Sequence, residues 1–402
     1  MDGQRIGNKR RLFTPLIFFV VLALLALPNS AHAQPIVSNA AGGYQLTNLV
    51  SNGAISAPTI DPNLVNPWGL VSSTAGPWWV SDEESGLSTL YDGQGQINPL
   101  VVTIPSAVAG THGTPTGIVF STNSSSFIVS QNGVSGSSVF IFSTGDGTIS
   151  GWSPGVNRTN AILAASRAGA VYRGLALAST GTGPFLYATN FSARTIDMYD
   201  GTFHLVRSFT DPTAVNCSGN SGSGGGGGSG GGGGSGSGGG SGSGSGGGGD
   251  GGNNCFAPFG IQVIGNQVFV TFVLQNLNRT DHFGVAGNGR GFVDVFDTSG
   301  NFLRRFSSSD QLNAPWGLAL APANFGQFSN DLLVGNFGNG RINVFNPTTG
   351  AWLGQLGAFQ IDGLWALQFG NGATAGATNQ LFFTAGPEHG RQGLFGVIQS
   401  TS

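Results

Sequence analysis

Short runs of alternating apolar and polar residues fill most of this chain. Arg341-Ile342-Asn343-Val344-Phe345 is typical, and no long stretch carries apolar residues at helical spacing. Alternation with a period of two predicts β-strands that turn their two faces to different surroundings. Three thirteen-residue stretches repeat one pattern: VSDEESGLSTLYD at 80–92, ATNFSARTIDMYD at 188–200 and VGNFGNGRINVFN at 334–346. In each, a small or apolar pair leads to Asn or Asp and a polar turn follows. A second alternating run then ends in an aromatic residue and Asp or Asn. That order predicts a β-hairpin.

The hairpin has fixed surroundings. A short strand opened by Pro-aromatic-Gly precedes it in Pro67-Trp68-Gly69-Leu70, Pro258-Phe259-Gly260-Ile261 and Pro315-Trp316-Gly317-Leu318. Looser copies are Pro115-Thr116-Gly117-Ile118, Tyr172-Arg173-Gly174-Leu175 and Leu364-Trp365-Ala366-Leu367. A glycine turn and one more strand follow, as in Thr348-Thr349-Gly350 before Trp352–Leu356. The glycines at 69, 117, 174, 260 and 317 lie 48, 57, 86 and 57 residues apart. Four strands repeating at such a period predict propeller blades, because one blade cannot bury both faces and must stack on neighbours. The expected fold is all-β: a six-bladed β-propeller of four-stranded antiparallel blades near 64–104, 112–152, 172–210, 256–307, 313–357 and 362–398. The last blade supplies only three strands. YQLTNLV at 44–50 alternates like a strand and is expected to close the ring as its fourth.

Two segments fall outside the repeat. Residues 1–33 read as a signal peptide. Arg5, Lys9, Arg10 and Arg11 precede an apolar run from Leu12 to Leu27, and Ala31-His32-Ala33 is a small-x-small cleavage site. Export to the periplasm or the extracellular space is expected, with one propeller domain over 34–402 and no membrane span after cleavage. The second segment, 218–252, is nearly pure Gly and Ser and holds 24 of the 71 glycines. It has nothing to bury and is expected to be a disordered insertion. Cys217 and Cys255, the two cysteines, bracket it and are expected to form a disulfide in an exported protein. Closing such a loop stabilises by roughly 4 kcal/mol in the chain-entropy account.

Cleavage also changes the charge. The full chain has 15 basic and 18 acidic residues; losing four basic residues and Asp2 leaves 11 and 17, a net charge of −6. An acidic surface with scattered arginines argues against nucleic acid and anionic membranes as partners.

NPWGL at 66–70, APWGLALAP at 314–322, GNFGNGRINVFNPTTG at 335–350, GLWALQFGNG at 363–372 and LFFTAGPEHGRQGLFGVI at 381–398 resemble a family of exported bacterial proteins of unknown function. The repeat is also similar to NHL-type six-bladed propellers. The resemblance implies a propeller and export, and it implies no particular reaction.

Propeller topology puts the turn entering the innermost strand and the turn between the second and third strands on one face. Trp68, Phe259 and Trp316 are thus expected at the channel mouth with Asp82, Asn132, Asn190 and Asn336. Such aromatic and amide groups suit a sugar or a peptide. Recurrence in every blade favours the other reading, in which Pro-Trp-Gly fixes the turn and packs between blades while each Asn caps its own turn. Asp82-Glu83-Glu84 is an acidic cluster, and Glu83 with Asn132 and Asn190 are candidate oxygen ligands for Ca²⁺, as in six-bladed lactonase-type hydrolases. His389, beside Glu388 and Arg391, belongs to the sixth hairpin at the same mouth. No histidine pair has metal-ligand spacing and no G-x-S-x-G occurs. The chain is accordingly expected to be a monomeric binding or scaffold module for an extracellular protein, glycan or small molecule, with no cofactor. The alternative is a Ca²⁺-dependent lactonase-like hydrolase, or a lyase-like enzyme, acting at the channel mouth.

Overall fold

The computed structural model describes residues 1–3, 38–41, 43–213, 255–275 and 284–401. The described residues from 38 onward form one compact unit. Among the described residues there is no α-helix, only a short 3-10 turn at Gly326–Phe328. The strands make six antiparallel blades, each ordered from the axis outward.

Blade one comprises Pro67–Ser72, Trp78–Asp82, Leu87–Tyr91 and Ile97–Thr103. In blade two the strands are Pro115–Phe120, Phe140–Thr144, Thr148–Trp152 and Ile162–Ser166. Blade three runs Tyr172–Thr180, Gly183–Asn190, Thr195–Tyr199 and Leu205–Phe209. Blade four has the longest inner pair, Cys255–Ile264 and Gln267–Gln275, followed by Gly291–Asp297 and Phe302–Ser307. Pro315–Leu320, Leu332–Asn336, Ile342–Phe345 and Trp352–Gln355 form blade five.

Blade six starts with Leu364–Phe369, Gln380–Ala385 and Leu394–Ser400. Its fourth strand is Tyr44–Ser51, paired antiparallel from Tyr44 opposite Ser400 to Ser51 opposite Leu394. The N-terminal strand therefore closes the ring, as its alternation predicts. Ser38–Ala41 adds a further strand outside it. The tyrosine at the start of the closing strand also reaches blade five: Tyr44 Oη donates to the Phe325 carbonyl at 2.7 Å and accepts from Phe328 N–H at 3.2 Å.

Period-two alternation explains the stacking. On the second strand of blade one, Trp78 and Val80 face blade six, where they pack with Phe382 and Phe395; Trp79 faces blade two, where it meets Phe140 and Trp152. Five apolar clusters fill the interfaces from blade one to blade six, and the cluster that joins blade six to blade one continues onto the axis. Each strand thus supplies two interfaces at once, which a single isolated blade cannot satisfy.

Blade two departs from the expected boundaries. Ile128–Gln131 and Val134–Ser137 form a separate two-stranded hairpin, and the blade proper continues to Ser166. Asn132 and Gly133 both have positive φ, 52° and 80°, as a tight hairpin turn of the primed type demands. This strong turn signal belongs to an appendage inserted between the first and second strands of the blade.

The expected signal peptide beyond residue 3, the Gly/Ser tract with Cys217, and residues 276–283 lie outside the described residues. Cys255 opens blade four, is fully buried, and no free cysteine occurs among the described residues. No described helix is long and apolar enough to cross a membrane.

Candidate functional site

The innermost strands stand around the axis in register, and their residues form layers. The layer at the entry face, where the chain enters each innermost strand, contains Trp68, Thr116, Arg173, Phe259, Trp316 and Trp365, all buried. Trp68 stacks on Trp365 with centroids 3.5 Å apart, and both Phe259 and Trp316 meet Trp68 edge-on at 6.0 Å. Phe337 stacks on the other side of Trp365 at 4.2 Å. The Arg173 guanidinium lies 5.0 Å from the Trp68 ring centre. These side chains fill the axis at this end as an aromatic plug.

The next layer is Gly69, Gly117, Gly174, Gly260, Gly317 and Ala366. Here each inner strand touches its neighbour's backbone. A Cβ on Gly69 would sit 2.6 Å from the Thr116 carbonyl oxygen, and one on Gly317 2.5 Å from that of Trp365. The recurring glycine is therefore a requirement of six strands converging on one axis.

Above the plug a buried polar network links four blades. Trp365 Nε1 donates to Asn66 Oδ1 at 3.1 Å, Asn66 Nδ2 donates to Glu83 Oε2 at 2.9 Å, and Glu83 Oε1 lies 4.0 Å from Arg173. Trp316 Nε1 donates to the Arg173 carbonyl at 3.0 Å. Burial pushes the Glu83 carboxyl up from its ordinary range, and the nearby Arg173 works against that rise.

The expected mouth residues separate into three groups. Trp68, Phe259 and Trp316 do converge, but as the plug and not as an open lining. Asp82, Asn190 and Asn336 do occupy equivalent strand ends, opposite Pro67, Tyr172 and Pro315, and each already bonds to neighbouring protein groups. Asp82 Oδ2 accepts from Thr89 N and Oγ1 at 3.0 and 2.8 Å. Burial holds that carboxyl well above its usual range. Asn190 donates to Asp197 at 2.9 Å and accepts from Ser192 Oγ at 2.9 Å. Asn336 donates to the Gln311 carbonyl at 2.8 Å and accepts from Asn313 N at 3.1 Å. Asn190 therefore caps its own turn, with Ala193 N–H also donating to its Oδ1 at 3.2 Å, whereas Asn336 ties its strand end to the 311–313 segment that enters the blade.

Asn132 is not with them. It is exposed at the tip of the extra hairpin, whose Gln131 accepts at 2.8 Å from Asn157, in the connection between the third and fourth strands of the same blade. The strand end equivalent to Asp82 in blade two is Thr144, opposite Pro115. His389 is exposed in the blade-six turn, with φ 60°. Glu83, Asn132 and Asn190 consequently do not fit a calcium site: one is elsewhere, and the other two already have partners. Among the described residues no three His, Cys, Asp or Glu side chains group as metal ligands.

What the sequence reading missed lies beyond the glycine layer, toward the far face. There the axis widens into a chamber of about 250 Å³ lined by Leu70, Ile118 and Leu175, then by Gln262 and Gln368 beside Val71, Val119 and Ala176, then by Ser72 beside Phe120, Leu177 and Val263. A smaller space of about 40 Å³ continues from it to the glycines and Trp316. Gln262 and Gln368 each follow their layer glycine or alanine by two residues; that shared offset was the available signal.

No protein-family model matches the chain. Similar sequences occur among uncharacterised proteins of Acanthamoeba polyphaga mimivirus. One is 28% identical over 337 residues, covering 80% of this chain and 77% of that protein. A second is 26% identical over 372 residues, covering 88% and 80%. A third is 31% identical over 258 residues, covering 62% of this chain and 40% of that protein. These relatives are viral, and the resemblance to a bacterial family finds no support in them. Among solved structures, virginiamycin B lyase from Staphylococcus aureus is 11% identical with a TM-score of 0.47, covering 89% of this chain and 98% of that one. The PQQ-bound aldose sugar dehydrogenase from Streptomyces coelicolor is 13% identical with a TM-score of 0.46, covering 84% and 95%. At such values no chemistry is carried across.

Proposed function

We propose that this chain is an exported propeller module that binds a partner and transforms no substrate. The observation that supports this reading is the aromatic plug. The aromatic groups that would line a reactive mouth at the entry face are packed against one another, and Glu83 is held by Asn66 and faces Arg173. Among the described residues, the space that remains on the axis is lined by apolar and amide side chains, Phe120 and Trp316 included, with no nucleophile beyond Ser72 and no titratable group. General acid–base catalysis needs such a group within hydrogen-bond reach of the reacting atom. A protein, a glycan or a small molecule remains the class of partner.

Three measurements on the secreted chain test the reading. Glycan and peptide arrays should give saturable binding. A lactone and ester panel with added Ca²⁺ should give no turnover above buffer. Turnover that disappears in Glu83→Gln would replace the binding module with a hydrolase. Intact mass should place the N-terminus at Gln34; a retained 1–33 segment would remove the export part of the reading.

A further inference from the structure

The axial chamber differs from the entry face in chemistry as well as position. Each innermost strand has a hydrogen-bonded partner on its outer side only, so its other edge faces the axis. The chamber wall is therefore built largely of strand edges, with backbone N–H and C=O groups directed inward among the described residues. Gln262 and Gln368 stand in one layer of that wall, and each adds an amide that both donates and accepts. Among the described residues no Asp, Glu, Lys, Arg or His lines the chamber or its inward continuation. The inner end is blind, because Trp316 and the plug close it.

We propose that this chamber binds an uncharged polyol about the size of a monosaccharide. The proposal rests on the binding-module reading and names its ligand class. Size sets the first limit. A space of about 250 Å³ falls below the roughly 300–1,000 Å³ that drug-sized ligands occupy, which leaves one sugar ring and excludes an oligosaccharide. Charge sets the second. An ammonium or carboxylate would lose its water there and meet no opposite charge. Polarity sets the third. An apolar guest would strand the inward-facing edge groups without partners, whereas hydroxyls both donate and accept and so match a wall of alternating donors and acceptors. The aliphatic layer of Leu70, Ile118 and Leu175 beneath the amides receives the C–H face of the ring.

The test is saturation-transfer NMR and calorimetry on the full secreted chain with D-glucose, N-acetylglucosamine and myo-inositol. At least one should bind saturably. The double variant Gln262→Leu/Gln368→Leu should weaken that binding roughly tenfold or more, the loss of one or two good hydrogen bonds, while its melting temperature stays near the parent's. If the double variant does not fold, Gln368→Leu alone carries the comparison. Glucuronate and glucosamine should bind at least tenfold more weakly than glucose. Saturable binding of none of the three polyols, equal binding by the variant, or equal binding of the charged sugars overturns the proposal. A chain that captures an array partner but no polyol overturns the chamber assignment alone and leaves the binding module standing.

Discussion

Thr384 Oγ1 donates to the main-chain carbonyl of Trp68 at 2.6 Å. That bond joins the second strand of the last blade to the inner strand of the first. Thr189 makes the same bond from blade three to the Phe259 carbonyl of blade four, at 2.7 Å. Thr116 donates from blade two to the Tyr172 carbonyl of blade three at 2.9 Å. Fully buried hydroxyls thus tie the carbonyls around the plug from one blade to the next.

Thr384→Val keeps the shape and deletes the bond at the seam between first and last blades. The expected cost is about 1–3 kcal/mol, the usual range for losing a buried hydrogen bond of this kind. Thr384→Ser should retain most of the parent's stability. Denaturant unfolding of the three proteins decides it; a Val variant as stable as the parent, with the loss confined to Ser, would mean the methyl group matters and the hydroxyl does not.

The glycine layer predicts a position-specific intolerance. Gly69→Ala and Gly317→Ala would place a methyl against the neighbouring inner strand, whose backbone cannot retreat without opening the ring. Gly155 has nothing within 4 Å of its added Cβ. Gly69→Ala and Gly317→Ala should give insoluble or strongly destabilised protein, and Gly155→Ala should melt within a degree or two of the parent.

These glycines show how far the sequence could be read. Their spacing and the Pro-aromatic-Gly pattern revealed the blades, because a repeat must write its constraints six times. The pairing of Tyr44–Ser51 with the last blade was legible for the same reason: one strand was missing from the repeat. The use of the aromatic residues was not. Pro67-Trp68-Gly69 fits an open mouth and a packed plug equally well, and only the inward convergence of Trp68, Phe259, Trp316 and Trp365 decides between them. Arg173 was also hidden. It stands where blade one has Trp68, and the carboxylate it faces, Glu83, belongs to a turn two blades away. In blade two the Asn132-Gly133 turn drew the blade boundary to the wrong hairpin, since local turn chemistry carries no information about which sheet a hairpin joins.

Buried carboxyls make stability depend on pH. Asp294 accepts from Arg305 Nε, and the same guanidinium donates to Asp211 at 2.7 Å. Burial pushes the Asp294 carboxyl up to about 8; Arg305 opposes the rise and Asp211 adds to it. Burial raises Asp82 and Glu83 as well. An unfolded aspartate loses its proton near pH 4. Between about pH 4 and pH 8 the folded state therefore holds more protons than the unfolded state, so stability falls as pH rises. The melting temperature should be higher at pH 5 than at pH 8, and Asp294→Asn should flatten part of that slope. A slope of the opposite sign would mean that Asp294 is ionised in the fold throughout.

The 218–252 tract predicts a silent deletion. It contains no side chain that can fill a core, and Cys255 at its end is already buried in blade four. Joining 217 to 253 should shift the melting temperature by a few degrees at most. Alkylation of the unfolded parent without reductant should leave both cysteines unmodified, as a Cys217–Cys255 disulfide requires, and adding reductant should expose both. Modification without reductant would remove the disulfide.

Ring closure gives the sharpest contrast. Tyr44–Ser51 pairs along its length with Leu394–Ser400, and its Tyr44 hydroxyl is fixed between the Phe325 carbonyl and Phe328 N–H of blade five. Removing residues 34–50 would strip blade six of its outer strand, open an edge on Leu394–Ser400 and cut the tie to blade five together. A large fall in melting temperature or outright aggregation is expected. Removing only residues 34–42 deletes Ser38–Ala41, which pairs with the closing strand alone, and should change little. Tyr44→Phe separates the two contributions, because it keeps the strand and its ring stacking while deleting the hydroxyl. It should cost about 1–2 kcal/mol, within the range for a buried hydrogen bond, and leave the chain folded. If the 34–50 deletion melted like the parent, the seam between blades one and six would not depend on this strand, and the stability of the ring would rest on the axial plug and the Thr384–Trp68 bond instead.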